Sequence, residues 1–157
     1  MFTNGNIKDV AVKELVKWVD ERGWLTELFR DDETDPRYRP VMGYISMTQP
    51  DIARGPHEHI DQADHFAFIG PSNFKIYLWD NRKDSPTFMT RQVLYAGEDA
   101  PRTVIIPAGV VHAYKNVGGK LGMVVNLPNR LFAGPGKKEK VDEIRHERDP
   151  KTIFLID

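Results

Sequence analysis

Two short segments hold the side chains best suited to chemistry: Arg54-Gly55-Pro56-His57-Glu58-His59 and Pro107-Ala108-Gly109-Val110-Val111-His112-Ala113-Tyr114-Lys115-Asn116. An HxH pair on an extended segment projects both imidazoles from one face, because side chains alternate along a strand. His112 follows a Pro-x-Gly turn, and a closing barrel can bring it to the same place. Three converging imidazoles suit either of two chemistries. They can hold a transition metal through neutral ring nitrogens, or they can move a proton near neutral pH.

Such residues must be positioned by strands. Short apolar segments separated by turn residues occupy 15–19 and 24–29, around an Asp20-Glu21-Arg22-Gly23 turn. Others cover 41–47, 66–69, 74–79, 91–95, 103–106 and 122–127. Roughly nine strands with turn signals about every 8–12 residues predict an all-β sandwich or barrel. Residues 30–40 and 134–140 are polar and read as exposed loops. Only 137–148 could hold a helix, and that stretch is nearly all charged. Trp18, Trp79, Phe66, Phe68 and Phe74 read as barrel core. Trp24, two residues beyond Arg22, could instead stack on a base or sugar. His146 sits in a charged tail and reads as surface.

At 157 residues the chain is expected to be one domain, 1–157, with a sizeable core. Charged residues make up 29% and nearly cancel, for a net charge of −1. That balance offers no electrostatic case for nucleic acid or an acidic membrane surface. There is no cysteine, which excludes disulfides, thiolate catalysis and Cys-ligated zinc. Residues 1–19 are interrupted by Lys8, Asp9, Lys13, Glu14 and Lys17, unlike a signal peptide or a membrane span. A cytoplasmic protein is the expectation.

The pattern Pro107-x-Gly109-x-x-His112-x-x-x-Asn116 resembles the second motif of the cupin superfamily, and His57-x-His59 resembles its first. The resemblance implies a small cupin-type β-barrel or jelly roll. The first motif normally continues with a glutamate about four residues on. Here that position is Ala63, between Gln62 and Asp64. On the metal reading His57, His59 and His112 are the ligands, with Gln62 or Asp64 as a fourth. An N₃O set suits a divalent transition metal such as Zn, Fe, Ni or Mn.

A second resemblance covers more of the chain. Asp20-Glu21-Arg22-Gly23-Trp24-Leu25-Thr26-Glu27-Leu28-Phe29 is similar to the D-x-R-G-x-F-x-E-x-F segment of the dTDP-4-dehydrorhamnose 3,5-epimerases. Arg54-Gly55-Pro56-His57 resembles their R-G-L-H. The run from Asp80 to Ser85-Pro86-Thr87-Phe88 resembles D-x-R-x-x-S-P-T-F. Residues 106–113 resemble I-P-x-G-F-A-H-G, and 144–150 resemble I-R-W-D-D-P. The five segments stand in the family's order.

That resemblance implies a homodimer acting on a sugar nucleotide, with no required cofactor and no nucleic-acid or membrane partner. The N-terminal segment 1–30 would contribute to the dimer interface. Arg22, Glu27 and Trp24 would reach the nucleotide in the neighbouring subunit's site, since a guanidinium fork fits phosphate oxygens and a carboxylate accepts from a base or sugar donor. Arg54 would be a second anchor. His57 would remove the proton next to a 4-keto group, and His112 would orient the ring or the keto oxygen.

The chain departs from this family at defined places. The family's general-acid tyrosine aligns with Leu131 or Phe132, and neither can donate a proton. The lysine that supports the enolate follows a Q-A pair, whereas Gln62-Ala63 is followed here by Asp64 and His65. A cationic His65, Lys75, Tyr77 or Tyr114 is the candidate replacement. The aspartate that orients the catalytic histidine lies in a tail beyond the matched region, which leaves that task to Glu58, Asp61 or Asp64.

Overall fold

The computed structural model describes residues 1–157. Thirteen strands build it: β1 Thr3–Asn4, β2 Ala11–Glu14, β3 Trp18–Asp20, β4 Gly23–Leu25, β5 Tyr44–Thr48, β6 Ala53–Glu58, β7 Asp64–Phe68, β8 Asn73–Asp80, β9 Thr90–Gly97, β10 Arg102–Ile106, β11 Val110–Asn116, β12 Gly122–Asn126 and β13 Ile144–Arg145. The strands beyond the roughly nine expected are mainly β1, β2 and β13. They are two to four residues long and mostly exposed, too short to show an alternating pattern. Helix is confined to three short 3₁₀ turns. The charged 137–148 stretch forms no α-helix, because it has no apolar face to bury.

One sheet has the order β1-β9-β8-β11-β6-β13 and the other β2-β10-β7-β12-β5, with β3-β4 as a separate hairpin. Alternation sorts each strand into two faces. Phe74, Ile76 and Leu78 of β8 pack with Val110 and Tyr114 of β11, and meet Phe66, Phe68, Val104, Ile106 and Val124 from the second sheet. These residues form one buried cluster between the sheets, in the all-β cupin-type barrel expected from the sequence. Outside the first sheet, Tyr77, Trp79, Val111 and Ala113 are covered by Phe154 and flanked by Phe2 and Ile156. Outside the second, Ala67 and Ile69 pack with Leu15, and with Leu28 of the N-terminal segment. Trp79 is therefore buried in an outer layer rather than inside the barrel. Trp18 departs further from its expected place and is 53% exposed on the hairpin.

Asp80 ends β8 and organises the following loop. It accepts hydrogen bonds from Arg82 Nε (2.8 Å), Ser85 Oγ (2.6 Å) and Thr87 Oγ1 (2.6 Å), which accounts for the Asp-x-Arg-x-x-Ser-x-Thr spacing. Burial pushes its carboxyl up, but the hydrogen bonds from Arg82, Ser85 and Thr87 outweigh it and hold the pKa at about 2. A depressed folded pKa stabilises the fold above the unfolded value near 3.8 and loses that contribution as pH falls through about 2. Unfolding free energy should therefore decline over that acidic window. In Asp80→Asn the decline should be shallower, and denaturant melts at stepped pH would show it. An identical slope in the variant would remove Asp80 as its source.

Candidate active site

The site begins with strand register. In the antiparallel pair β6–β11, His57 lies opposite His112 and Arg54 opposite Tyr114. His112 and Tyr114 are two residues apart and share the inner face. Arg54 and His57 are three apart, so a regular strand would send them to opposite faces. A bulge between the two pairings absorbs the extra residue and turns both inward. Gly55 makes this local path feasible. Its φ is +85°, and a Cβ there would lie 2.5 Å from the His112 carbonyl oxygen. Arg54 is held by Thr48 Oγ1 (2.9 Å) and the Met47 carbonyl (2.6 Å).

His59 follows β6 on the same face as His57, as an HxH pair predicts. Asp64 opens β7 on the facing sheet. Ligand atoms of His57, His59, Asp64 and His112 all lie within 4.8 Å of one another. His59 Nε2 and His112 Nε2 are each 3.1 Å from Asp64 Oδ2. The His57 and His112 rings are 4.4 Å apart, centre to centre. Burial, reinforced by the neighbouring imidazoles, pushes His57 down to about 2, so its ring is neutral. Burial opposes charge on His59 too, but Asp64 and the Asp142 carbonyl outweigh it and raise that ring to about 9. Burial also penalises the Asp64 carboxylate, and the imidazoles His112 and His59 overcome this and keep it well below the usual range.

The C-terminal segment closes one wall. The Asp142 carboxylate accepts from the backbone N–H groups of Ile60 (2.8 Å), Asp61 (2.9 Å) and Gln62 (2.9 Å). Its carbonyl accepts from His59 Nδ1. β13 then pairs with β6, Arg145 opposite His57, and Glu143 Oε1 stands 4.0 Å from His57 Nε2. Neither Asp142 nor Glu143 is among the carboxylates the sequence nominated. Their proximity depends on contacts spanning some eighty residues, and no local pattern announces them. Of the nominated three, Asp64 joins the cluster, Asp61 lines the cleft, and Glu58 accepts from Asn81 (2.9 Å) while sitting 2.9 Å from His146 Nε2. His146 is thus a half-buried partner, packed 4.6 Å from the Phe154 ring, rather than the surface residue expected.

A cleft of about 1030 Å³ opens over these groups, with Arg54, His57, His59, Gln62 and Tyr114 in its lining. Leu131 and Phe132 line it at the place where the family's tyrosine is expected. Two other tyrosines line it. Tyr114 is 2.8 Å from Ser46 Oγ. Tyr44 accepts from Asn126 Nδ2 (2.9 Å), and burial pushes its hydroxyl up to about 12, which keeps it protonated. Tyr44 could have been found in the alternation of 41–47, since it shares a strand face with Ser46.

Other nominated residues lie elsewhere. His65 is one residue past Asp64, so it points away from the cleft and toward Phe29, 6.4 Å between ring centres. Burial, with Lys13 nearby, holds it down to about 4, so it is a neutral ring and no replacement for a cationic lysine. Lys75 and Tyr77 face outward on β8, where Lys75 pairs with Asp157 at 3.0 Å and Tyr77 donates to the Asp157 carbonyl. Arg22 lies on the β3–β4 hairpin, paired with Asp20, and Glu27 lies 3.5 Å from Arg30. Neither lines this chain's cleft. Trp24 is 49% exposed beneath Lys17, whose Nζ is 4.5 Å from the ring centre.

Residues 4–128 match the model of the dTDP-4-dehydrorhamnose 3,5-epimerases. The chain belongs to this family. Two curated relatives agree. The probable low-salt glycan biosynthesis epimerase Agl13 of Haloferax volcanii is 34% identical over 128 residues, 81% of each chain. The spore coat polysaccharide biosynthesis protein SpsL of Bacillus subtilis is 36% identical over 147 residues, 94% of this chain and 93% of SpsL. Among solved structures, a dTDP sugar isomerase from Desulfovibrio desulfuricans superposes with a TM-score of 0.78 at 21% identity, covering 92% of this chain and 87% of that one. The 3,5-epimerase RmlC of Legionella pneumophila, solved with dTDP-4-keto-L-rhamnose, gives 0.76 at 21% identity over 94% and 78%. The epimerase family and its relatives make this protein a sugar-nucleotide epimerase or isomerase of polysaccharide and deoxysugar biosynthesis. They favour that function over a metal-dependent cupin acting on a small substrate, and over a binder without turnover.

Proposed function

We propose that this epimerase acts on a dTDP-4-keto-6-deoxyhexose, with His57 removing the proton from a carbon next to the ketone. One observation carries the assignment of the base. Among the three clustered imidazoles His57 is the most accessible, its side chain 16% exposed against 10% for His59 and 3% for His112. It is the ring that meets a substrate in the cleft, beside Arg54. The C–H electron pair moves onto the carbonyl oxygen as an enolate, and the proton goes to His57. Return of a proton from the other side of the sugar inverts the carbon.

Tyr44 is our candidate for that second proton. It stands on β5 of the sheet opposite β6, and its hydroxyl stays protonated. A base and an acid from facing sheets supply the two-sided arrangement that inversion requires. The test is solvent exchange. Incubating a dTDP-4-keto-6-deoxyhexose with the protein in D₂O should place deuterium at C3 or C5. Tight dTDP binding with no exchange would leave a sugar-nucleotide binder instead.

We also propose a homodimer. Trp18, Val19, Trp24 and Leu25 on the β3–β4 hairpin are all exposed in the single chain. A two-stranded hairpin is marginal alone, and an apolar patch of this kind marks an interface. A neighbour's cleft would cover it and bring in Arg22 and Glu27. Sedimentation at micromolar concentration should give a dimer, and a purely monomeric boundary would dismiss the assignment of those residues.

A further inference from the structure

We propose that His59, Asp64 and His112 bind a divalent transition-metal cation beside His57. Two buried polar atoms lead to it. Asp64 Oδ2 and His112 Nε2 take part in no aligned hydrogen bond, although their residues are only 1% and 2% exposed. An unpaired buried carboxylate oxygen is costly. Asp64 Oδ2 nevertheless faces two imidazole nitrogens, each at 3.1 Å.

The other nitrogen of each ring is already engaged. His112 Nδ1 lies 3.1 Å from the Val110 carbonyl, and His59 Nδ1 donates to the Asp142 carbonyl. An imidazole that donates from Nδ1 presents a lone pair at Nε2 once that atom is deprotonated, so a cation binding His59 would displace the proton that now faces Asp64. The three atoms lie within 4.8 Å of one another, close enough for one cation to meet them all. A single added proton can lie between Oδ2 and only one of the two rings, whereas one cation serves all three atoms. The spacing fits as well. Ligands about 2.0–2.2 Å from a metal and near right angles to each other are about 3 Å apart.

The surroundings support the ligands in the way metal sites require. Asp64 Oδ1 accepts from Asn126 Nδ2 (2.8 Å) and Gln62 Nε2 (2.9 Å), which leaves Oδ2 for the cation. Gln62 Nε2 also lies 3.3 Å from His59 Nε2, a long contact that a cation would displace. Its amide nitrogen makes Gln62 a support rather than the fourth ligand. Three protein ligands leave positions open to the cleft, as in catalytic sites. His57 stays outside the set, with its Nε2 toward Glu143. Two imidazoles and a carboxylate suit Zn, Mn, Fe or Ni.

Binding of the cation does not rest on the epimerase chemistry, but its role does. Asp64 stands where the family's enolate-supporting lysine is expected, and a cation on Asp64 would restore positive charge there.

The test is made without substrate. Chelator-stripped protein is titrated with Co²⁺ and then with Zn²⁺. A single equivalent of Co²⁺ should bind, with visible d–d absorption that Zn²⁺ abolishes. Asp64→Asn keeps the side-chain shape and should weaken Co²⁺ binding at least about 100-fold, more than loss of an outer-shell partner. His57→Asn should leave Co²⁺ binding unchanged. If Asp64→Asn does not melt cooperatively, His59→Gln replaces it in the same titration. Absence of stoichiometric metal, or equal binding by the ligand variant, would overturn the site. Loss of Co²⁺ in His57→Asn would overturn the three-residue assignment. Failure of the epimerase proposal would show separately, as absent deuterium exchange in protein that still binds Co²⁺.

Discussion

His57→Asn should lose solvent exchange at the sugar carbon by about 10²–10⁴-fold, the usual contribution of a positioned base. Its affinity for dTDP should stay near that of the parent. The separation follows from the geometry. His57 faces the cleft from β6, paired across the ladder with His112, while Arg54 on the same strand is held independently by Thr48 and the Met47 carbonyl. Asparagine keeps polarity and part of the volume, but its amide has no basic nitrogen to take the proton. An interaction needed only in the transition state shows as a fall in kcat without a matching loss of binding. Deuterium incorporation measured by NMR, beside dTDP binding measured by calorimetry, reads both. Exchange at the parental rate in the variant would end the assignment of His57 as the base. Loss of dTDP binding together with exchange would make it an anchor instead.

Phe68→Ala should destabilise the fold by about 3–5 kcal/mol, the range for deleting a buried aromatic ring. Phe68 is fully buried between the sheets, with ring centres 6.0 Å from Phe66, 5.5 Å from Phe74 and 5.6 Å from Tyr114. Those neighbours come from both sheets, so no single shift can refill the space. The melting temperature should fall on the order of 10 °C. In denaturant the midpoint should drop with the slope unchanged, which marks a loss of stability without a change in the surface exposed. A change under about 1 kcal/mol would mean that the barrel collapses around the cavity, contrary to close packing.

The sequence alone determined the all-β class, the principal strands, and the meeting of His57, His59 and His112. These follow from local physics. Turn residues end strands, and alternation assigns a face within each strand. The ordered motifs, from the Arg22 segment through Arg54-Gly55-Pro56-His57 to His112, also carried the family, which the comparisons bear out.

Tertiary structure decided which faces those strands turn inward. Arg54 and His57 share a face only because β6 bulges against β11. His65 and Lys75 point away because β7 and β8 bury Asp64 and Phe74 on their inner sides, which leaves the odd-numbered residues outside. Trp18 carries the composition of a core residue, yet it sits on a hairpin that this chain does not cover. Asp142, Glu143 and His146 came to the site from the distant C-terminal segment, through contacts with residues 57–62 and Glu58. A strand's periodicity is set by its own backbone. Its register is set by a partner far along the chain, and a shift of one residue reverses every side chain.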